Sequence, residues 1–170
     1  MKQIYLGGKY GSAIGNYALV DDADYDWLNQ WRWCVAKGHN TLYAVRGIRV
    51  GCKKSLTMMH RQILGITDQN IYGDHEDGNG LNNQRYNLRE ATNQQNQRNS
   101  GAKNRRNYKG ICWDKHRNKW ATSISIHKTT IFLGRYDSEH DAALAYNEAA
   151  IKYFGEFARL NIIDRHQKHI

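Results

Sequence analysis

Tyr72-Gly73-Asp74-His75-Glu76-Asp77-Gly78-Asn79-Gly80-Leu81-Asn82-Asn83 is the stretch on which the reading turns; Asn87-Leu88-Arg89, Ala91-Thr92 and Asn96 complete it. Ile71 to His75 reads as a strand. Glu76 to Tyr86, rich in Gly, Asn and Asp, reads as a loop. Two helix starts compete after it. Asn87 with Glu90 can open one, and Thr92 with Gln95 can open one as a capping box. The second is preferred, because it leaves Asn87 to Ala91 as a strand pairing with Ile71 to His75. Asn96 then falls about one turn into the helix, and the order is strand, loop, strand, helix.

In sequence these motifs, Asp-His, Asp-Gly-Asn, Leu-Asn-Asn, Asn-Leu-Arg, Ala-Thr and a downstream Asn, resemble the HNH nucleases of the homing or phage type. That family has the ββα-metal (His-Me finger) fold. The resemblance implies a metal-dependent DNA endonuclease. Phosphodiester hydrolysis needs an activated water, neutralised phosphate charge and help for the departing 3′ oxygen. A neutral imidazole can accept the water's proton at neutral pH, and His75 fits that role. Asn87, across the strand pair, can orient the ring through its amide or its main-chain carbonyl. A hard divalent cation takes oxygen ligands, so Asp74 and Asn96 are the candidates for one Mg²⁺ (or Mn²⁺). The one-metal arrangement implies 5′-phosphate and 3′-hydroxyl ends, with one strand cut per encounter. Asn stands at the third position where the family name has His, as in the homing branch.

Other residues of the stretch read as structural. Asp77, Asn79 and Asn82 suit loop shaping through side-chain-to-backbone hydrogen bonds. His60 has no partner spacing that makes it catalytic. Arg61, Arg85 and Arg89 read as solvated surface or as phosphate contacts, and Asn99 as a spare ligand.

The 170 residues carry a formal charge of +9, with 40% hydrophobic and 24% charged residues. That is a globular composition, and its basic surplus favours a polyanion, DNA or RNA first. Cys34, Cys52 and Cys112 form no Cys-x-x-Cys pair, which argues against a zinc ribbon or a disulfide framework. No apolar run reaches membrane-spanning length and no signal-peptide core opens the chain. The expectation is a cytoplasmic protein of a bacterial or phage-infected cell, monomeric, with no membrane partner and no small-molecule cofactor.

Residues 1–55 read as a β-rich lead-in. Tyr17–Val20 suits a strand, Asp21-Asp22 a cap for a short helix from Asp24 to Trp31, and 31–36 with 41–45 a hairpin followed by a strand from Lys53. Trp27, Trp31 and Trp33 suit a small core. The segment braces the nuclease or touches DNA; the sequence leaves both open. Residues 56–100 form the nuclease core and 101–107 a basic linker. Arg98, Lys103, Arg105 and Arg106, with no acid among them, suit either a phosphate-tracking segment or a solvated connector.

Residues 108–163 read as three strands and one helix, with 164–170 as a tail. Trp120, Thr122, Ile124 and Ile126 alternate onto one face. Ser138 with Asp141 opens a helix that Gly155 stops, with a stripe of Ala142, Ala145, Tyr146, Ala149 and Tyr153. Tyr108-Lys109-Gly110, Lys119-Trp120-Ala121, Leu133-Gly134-Arg135-Tyr136, Ala142 to Ala150 and Leu160-Asn161 resemble the plant ethylene-response-factor or AP-two domain. The resemblance implies that the sheet enters the major groove of double-stranded DNA. Lys109, Cys112, Ala121, Ser123, Ser125 and Phe132 would then face DNA, with Trp113 and Lys115 near the first turn. Several groove positions are small or neutral, so the plant site preference is not carried over. The fold class expected is α+β throughout. The alternatives are a non-catalytic DNA-binding regulator that keeps the HNH fold, and an RNA-binding module, for which no aromatic motif is present.

Overall fold

The short alternating segments condense into several small antiparallel sheets with few helices, an α+β architecture. The computed structural model describes residues 1–8, 16–38, 41–100 and 108–163. The chain divides into two compact units, Met1–Gln97 and Arg98–Ile170.

In the first unit β1 (Lys2–Tyr5) pairs with β2 (Tyr17–Val20), and α1 (Asp22–Leu28) follows. β3 (Cys34–Lys37), β4 (Leu42–Val50) and β5 (Lys53–Met58) form one sheet with β4 central. β5 runs directly into α2 (Met59–Leu64), which Gly65 ends in the left-handed region at φ 69°. β6 (Tyr72–His75) pairs with β7 (Leu88–Ala91), placing His75 opposite Leu88 and Asp74 opposite Arg89. α3 (Asn93–Asn99) comes next. Its start is the capping box expected at Thr92. The Thr92 N–H donates to Gln95 Oε1 at 2.8 Å, and the Gln95 N–H donates to Thr92 Oγ1 at 3.3 Å.

One apolar cluster joins Ile4, Val20, Leu28, Trp33, Val35 and Ala44 to Met59, Ile63 and Leu88, with Trp27 and Trp31 packed against it. The residues before and after position 55 therefore share a core. Full burial of each large apolar side chain stabilises it by about 1.5–3 kcal/mol over exposure. The Trp33 indole N–H donates to the Leu28 carbonyl at 2.8 Å, so this buried donor is satisfied.

Three local expectations shift. β1 carries no sequence signal that marks it as a strand. α1 lies at Asp22–Leu28 rather than 24–31, and β3 begins at Cys34 rather than Trp31. Asp21 sits at the N-cap without a side-chain cap bond, because its carboxylate accepts from Gln84 Nε2 and the Arg85 N–H instead.

In the second unit β8 (Ile111–Asp114), β9 (Lys119–Ile126) and β10 (Thr129–Tyr136) form an antiparallel sheet with β9 central. α4 (Glu139–Phe154) is capped by Ser138, whose Oγ accepts from the His140 and Asp141 N–H groups, and it stops at Gly155. Its buried stripe is Ala142, Ala143, Tyr146, Ala149, Ala150 and Phe154, rotated from the expected one, since Tyr153 is exposed. Ile124 packs against Tyr146, Ala149, Ala150 and Phe154.

Candidate active site and nucleic-acid interface

The β6–β7 pairing is what makes neighbours of the functional side chains. Asp74 and His75 are 4% and 5% exposed. Arg89, the register partner of Asp74, donates from Nε to Asp74 Oδ2 at 2.9 Å. A carboxylate this buried requires such a partner, so Arg89 is part of the site and not solvated surface.

Asn83, His60 and Tyr43 lie around His75. Its Nε2 lies 3.4 Å from Asn83 Oδ1. The ring centroids of His60 and Tyr43 lie 4.7 and 5.9 Å away. Asn83 is wholly buried and its Nδ2 donates to the Gly80 carbonyl, which fixes the amide with Oδ1 towards the imidazole. Oδ1 then accepts from Nε2–H, and the acceptor nitrogen of that tautomer is Nδ1. Burial pushes His75 below the usual histidine range; the Asn83 hydrogen bond and the charges of Asp77 and Asp74 oppose it without reversing it. His60 is held down to about 3 by burial, with His75 and Arg61 adding to it. Burial and the Asp74 charge push the Tyr43 hydroxyl up.

Asn87, the expected orienter of His75, has its bonds in the loop. Its Oδ1 accepts from the Asp77 N–H, and its Nδ2 donates to Asp77 Oδ1 and the Asn82 carbonyl at 3.0 and 2.8 Å. Its main-chain carbonyl accepts from the Glu76 N–H. Asn87 thus fixes the backbone immediately after His75. Asn83 makes a side-chain contact with the ring itself. Asp77 and Asn79 shape the loop as expected, accepting from the N–H groups of Asn79 and Leu81. Asn96 is half-buried on the first turn of α3, its N–H bonded to the Thr92 carbonyl.

The lead-in braces this loop. Leu19 of β2 donates to the Leu81 carbonyl and accepts from the Asn83 N–H. The Gly80 N–H donates to Thr41 Oγ1 at 3.0 Å. Arg85 donates from Nε and Nη2 to both oxygens of Asp24, each at 2.7 Å. Burial alone would raise the Asp24 carboxyl, but hydrogen bonds from Arg85 and Trp27 outweigh it and hold it low. Arg61 closes the preceding turn by donating to the carbonyls of Ile71 and Asp68. Asp24, Thr41, Tyr43 and Asn83 are residues around the site to which the sequence reading gave no role. Of these only Asn83, within Leu-Asn-Asn, stood in a motif.

In the second unit the sheet face away from α4 carries Cys112, Ala121, Ser123 and Ser125. The register sets Cys112 opposite Ala121, Ser123 opposite Phe132 and Ser125 opposite Thr130. Arg135, opposite Ala121, lies with its guanidinium 4.8 Å from the Phe132 ring and donates to Asp114. Trp113 is opposite Trp120, ring centroids 5.1 Å apart, on the face that carries Ile111 and Thr122. It does not share the face of Ser123. Lys109 is also committed elsewhere, its Nζ donating to the carbonyls of Arg98 and Ser100. Arg98 places its guanidinium 4.9 Å from the Phe154 ring. Lys115 is exposed in the β8–β9 turn. Lys103, Arg105 and Arg106 lie outside the described residues.

Comparison with known proteins agrees with both halves. Over 160 residues the chain is 31% identical to an uncharacterised HNH endonuclease of Acanthamoeba polyphaga mimivirus, covering 91% of this chain and 79% of the relative. The chain belongs to the HNH endonuclease family. The AP2 domain family model matches residues 106–156 of this HNH-family chain. Over 54 residues it is also 41% identical to two AP2-like ethylene-responsive transcription factors of Arabidopsis thaliana, covering 32% of this chain and 17% and 15% of theirs. No solved structure matches it. Among the described residues, no helix is long and apolar enough to cross a membrane.

Proposed function

We propose that this chain is a divalent-metal-dependent DNA endonuclease of the ββα-metal type, addressed to double-stranded DNA by its AP2 unit. The observation that carries the reading is the β6–β7 pair, which holds a buried Asp74 beside a buried His75 whose Nε2 lies against Asn83 Oδ1. With the proton on Nε2, Nδ1 is the acceptor that takes the proton of the attacking water, a contribution of about 10²–10⁴-fold for a general base. His60 and Tyr43 hold the imidazole plane, and Asn87 holds the backbone that carries it.

Asp74 and Asn96 offer one carboxylate and one carboxamide oxygen, a donor set that suits Mg²⁺ or Mn²⁺. When bound, such an ion supplies Lewis-acid charge at the phosphate and the departing 3′ oxygen. Arg89 balances the Asp74 charge in the fold and keeps the carboxylate oriented. On the sheet of the second unit, Ser123, Ser125 and Arg135 share the face offered to the duplex, with Lys115 at its end. One active site per chain cuts one strand per encounter.

Incubation of supercoiled plasmid with the full chain tests this. The expected result is relaxed circles formed with Mg²⁺, suppressed by EDTA, with 5′-phosphate at the nick. Undiminished cleavage in EDTA would overturn the metal assignment.

A further inference from the structure

β4 and β5 continue well beyond the core as a two-stranded ribbon, from Gly47 to Leu56, with exposed residues on both strands. Between Leu42 and Met58 the sequence has Arg46, Arg49, Lys53 and Lys54 and no Asp or Glu. Arg46 is used at the root. Its guanidinium lies 4.2 Å from the Trp31 ring and its Nε donates to Gln62 Oε1 at 3.0 Å. Arg49, Lys53 and Lys54 have no ion pair among the described residues. Arg49 stands directly opposite Lys54, and like charges so placed destabilise a strand pair. Beside them Leu56 is 68% exposed opposite Gly47, where even a Cβ would meet nothing. Self-repelling cations and an uncovered leucine on one ribbon face are arranged for an anionic partner with apolar edges.

We propose that this ribbon is a second DNA-docking element, inserted in the major groove beside the cut; the inference rests on the nuclease reading above. A major groove about 12 Å wide admits a two-stranded ribbon and presents phosphates at its rims and thymine methyls within. The ribbon is built onto the candidate active site. Tyr43 at its root lies 5.9 Å from His75, and β5 leads directly into α2, which carries His60. From Tyr43 to Val50 the strand advances about 3.3 Å per residue, or roughly 23 Å. At about 3.4 Å per base pair the ribbon reaches up to about seven pairs from the site.

The test uses the full chain and a fluorescein-labelled mixed-sequence duplex of about four helical turns. Arg49, Lys53 and Lys54 are changed together to Gln, and a control protein loses Lys2, Arg32 and Lys37 in the same way. Each lost phosphate contact makes the plot of log affinity against log salt shallower by about 0.9. The ribbon variant is therefore expected to be shallower by roughly two to three, and the control to change little. Bound duplex should also slow alkylation of Cys52, exposed at the ribbon tip, as read by peptide mass mapping. An unchanged slope in the ribbon variant, an equal change in the control, or undiminished Cys52 alkylation would overturn the docking role. If these come with Mg²⁺-dependent cleavage, the nuclease reading stands while the ribbon proposal falls. If wild type neither binds nor cuts duplex DNA, both fall.

Discussion

His60 and His75 meet edge to face, their ring centroids 4.7 Å apart and their planes at 78°. Burial holds both below the usual histidine range, His60 down to about 3. Below about pH 6.5 the unfolded chain takes up protons that the folded one refuses. The stability these groups allow is therefore full above that pH and is lost as pH falls towards 3. For His60 the slope reaches roughly 1.4 kcal/mol per pH unit. Thermal unfolding between about pH 7.5 and pH 4 should show a falling Tm, and His60→Phe a shallower fall. Parallel curves would contradict the assignment of neutral, buried imidazoles.

Gly73 is the floor of that pair. A Cβ there would lie 2.3 Å from His60 Cδ2, and His60 is only 3% exposed, so it cannot swing clear. Gly73→Ala should destabilise the chain by about 1–3 kcal/mol, the usual cost of overpacking, and should slow cleavage by displacing His60 against His75. Urea denaturation checks the first effect. The double variant with His60→Ala should recover part of the stability.

Asp74 and Arg89 form a buried ion pair, and the proposed metal role of Asp74 is separable from it. Asp74→Ala takes the carboxylate from a largely buried guanidinium, at a cost of about 3–5 kcal/mol, and should remove Mg²⁺-dependent cleavage. Changing Arg89 to Met as well should restore much of the stability but none of the cleavage. Activity recovered in the double variant would show that Asp74 acts only through packing.

Asn87 and Asn83 separate by what each holds. Asn87→Asp sets a carboxylate against the Asp77 carboxylate and should loosen the loop, seen as faster amide exchange from Asp77 to Asn82. Asn83→Ala removes the acceptor that fixes His75 Nε2 and leaves buried partners unmet, costing about 1–3 kcal/mol. It should shift the pH–rate profile of cleavage, because the tautomer is no longer set. An unmoved profile would return the orienting role to another residue.

Local chemistry carried most of what was legible in the sequence. The Thr92–Gln95 box, the Ser138 cap, the Gly155 stop and the period-two face of β9 depend on residues within a few positions of each other. That the two strands pair was legible, but not their register: the expected bounds set Asp74 opposite Leu88, whereas β7 begins at Leu88 and sets Asp74 opposite Arg89. What could not be read depends on chain segments far apart. Asp24 meets Arg85, Thr41 meets Gly80, and Tyr43 and His60 meet His75 only because one core folds residues before and after position 55 together. The contact of Asn83 with His75 likewise depends on the path of the loop, and nothing in the local sequence marks it. Cross-strand register sets Trp113 against Trp120 beside the first turn, and main-chain contacts take up the Lys109 ammonium; neither can be read from the sequence.

The most direct test is single-turnover cleavage of supercoiled plasmid in Mg²⁺ by wild type and His75→Ala, with DNA affinity measured on the same preparations. The account predicts a rate lower by about 10²–10⁴-fold in the variant, with affinity unchanged. Equal rates in the two proteins would contradict it.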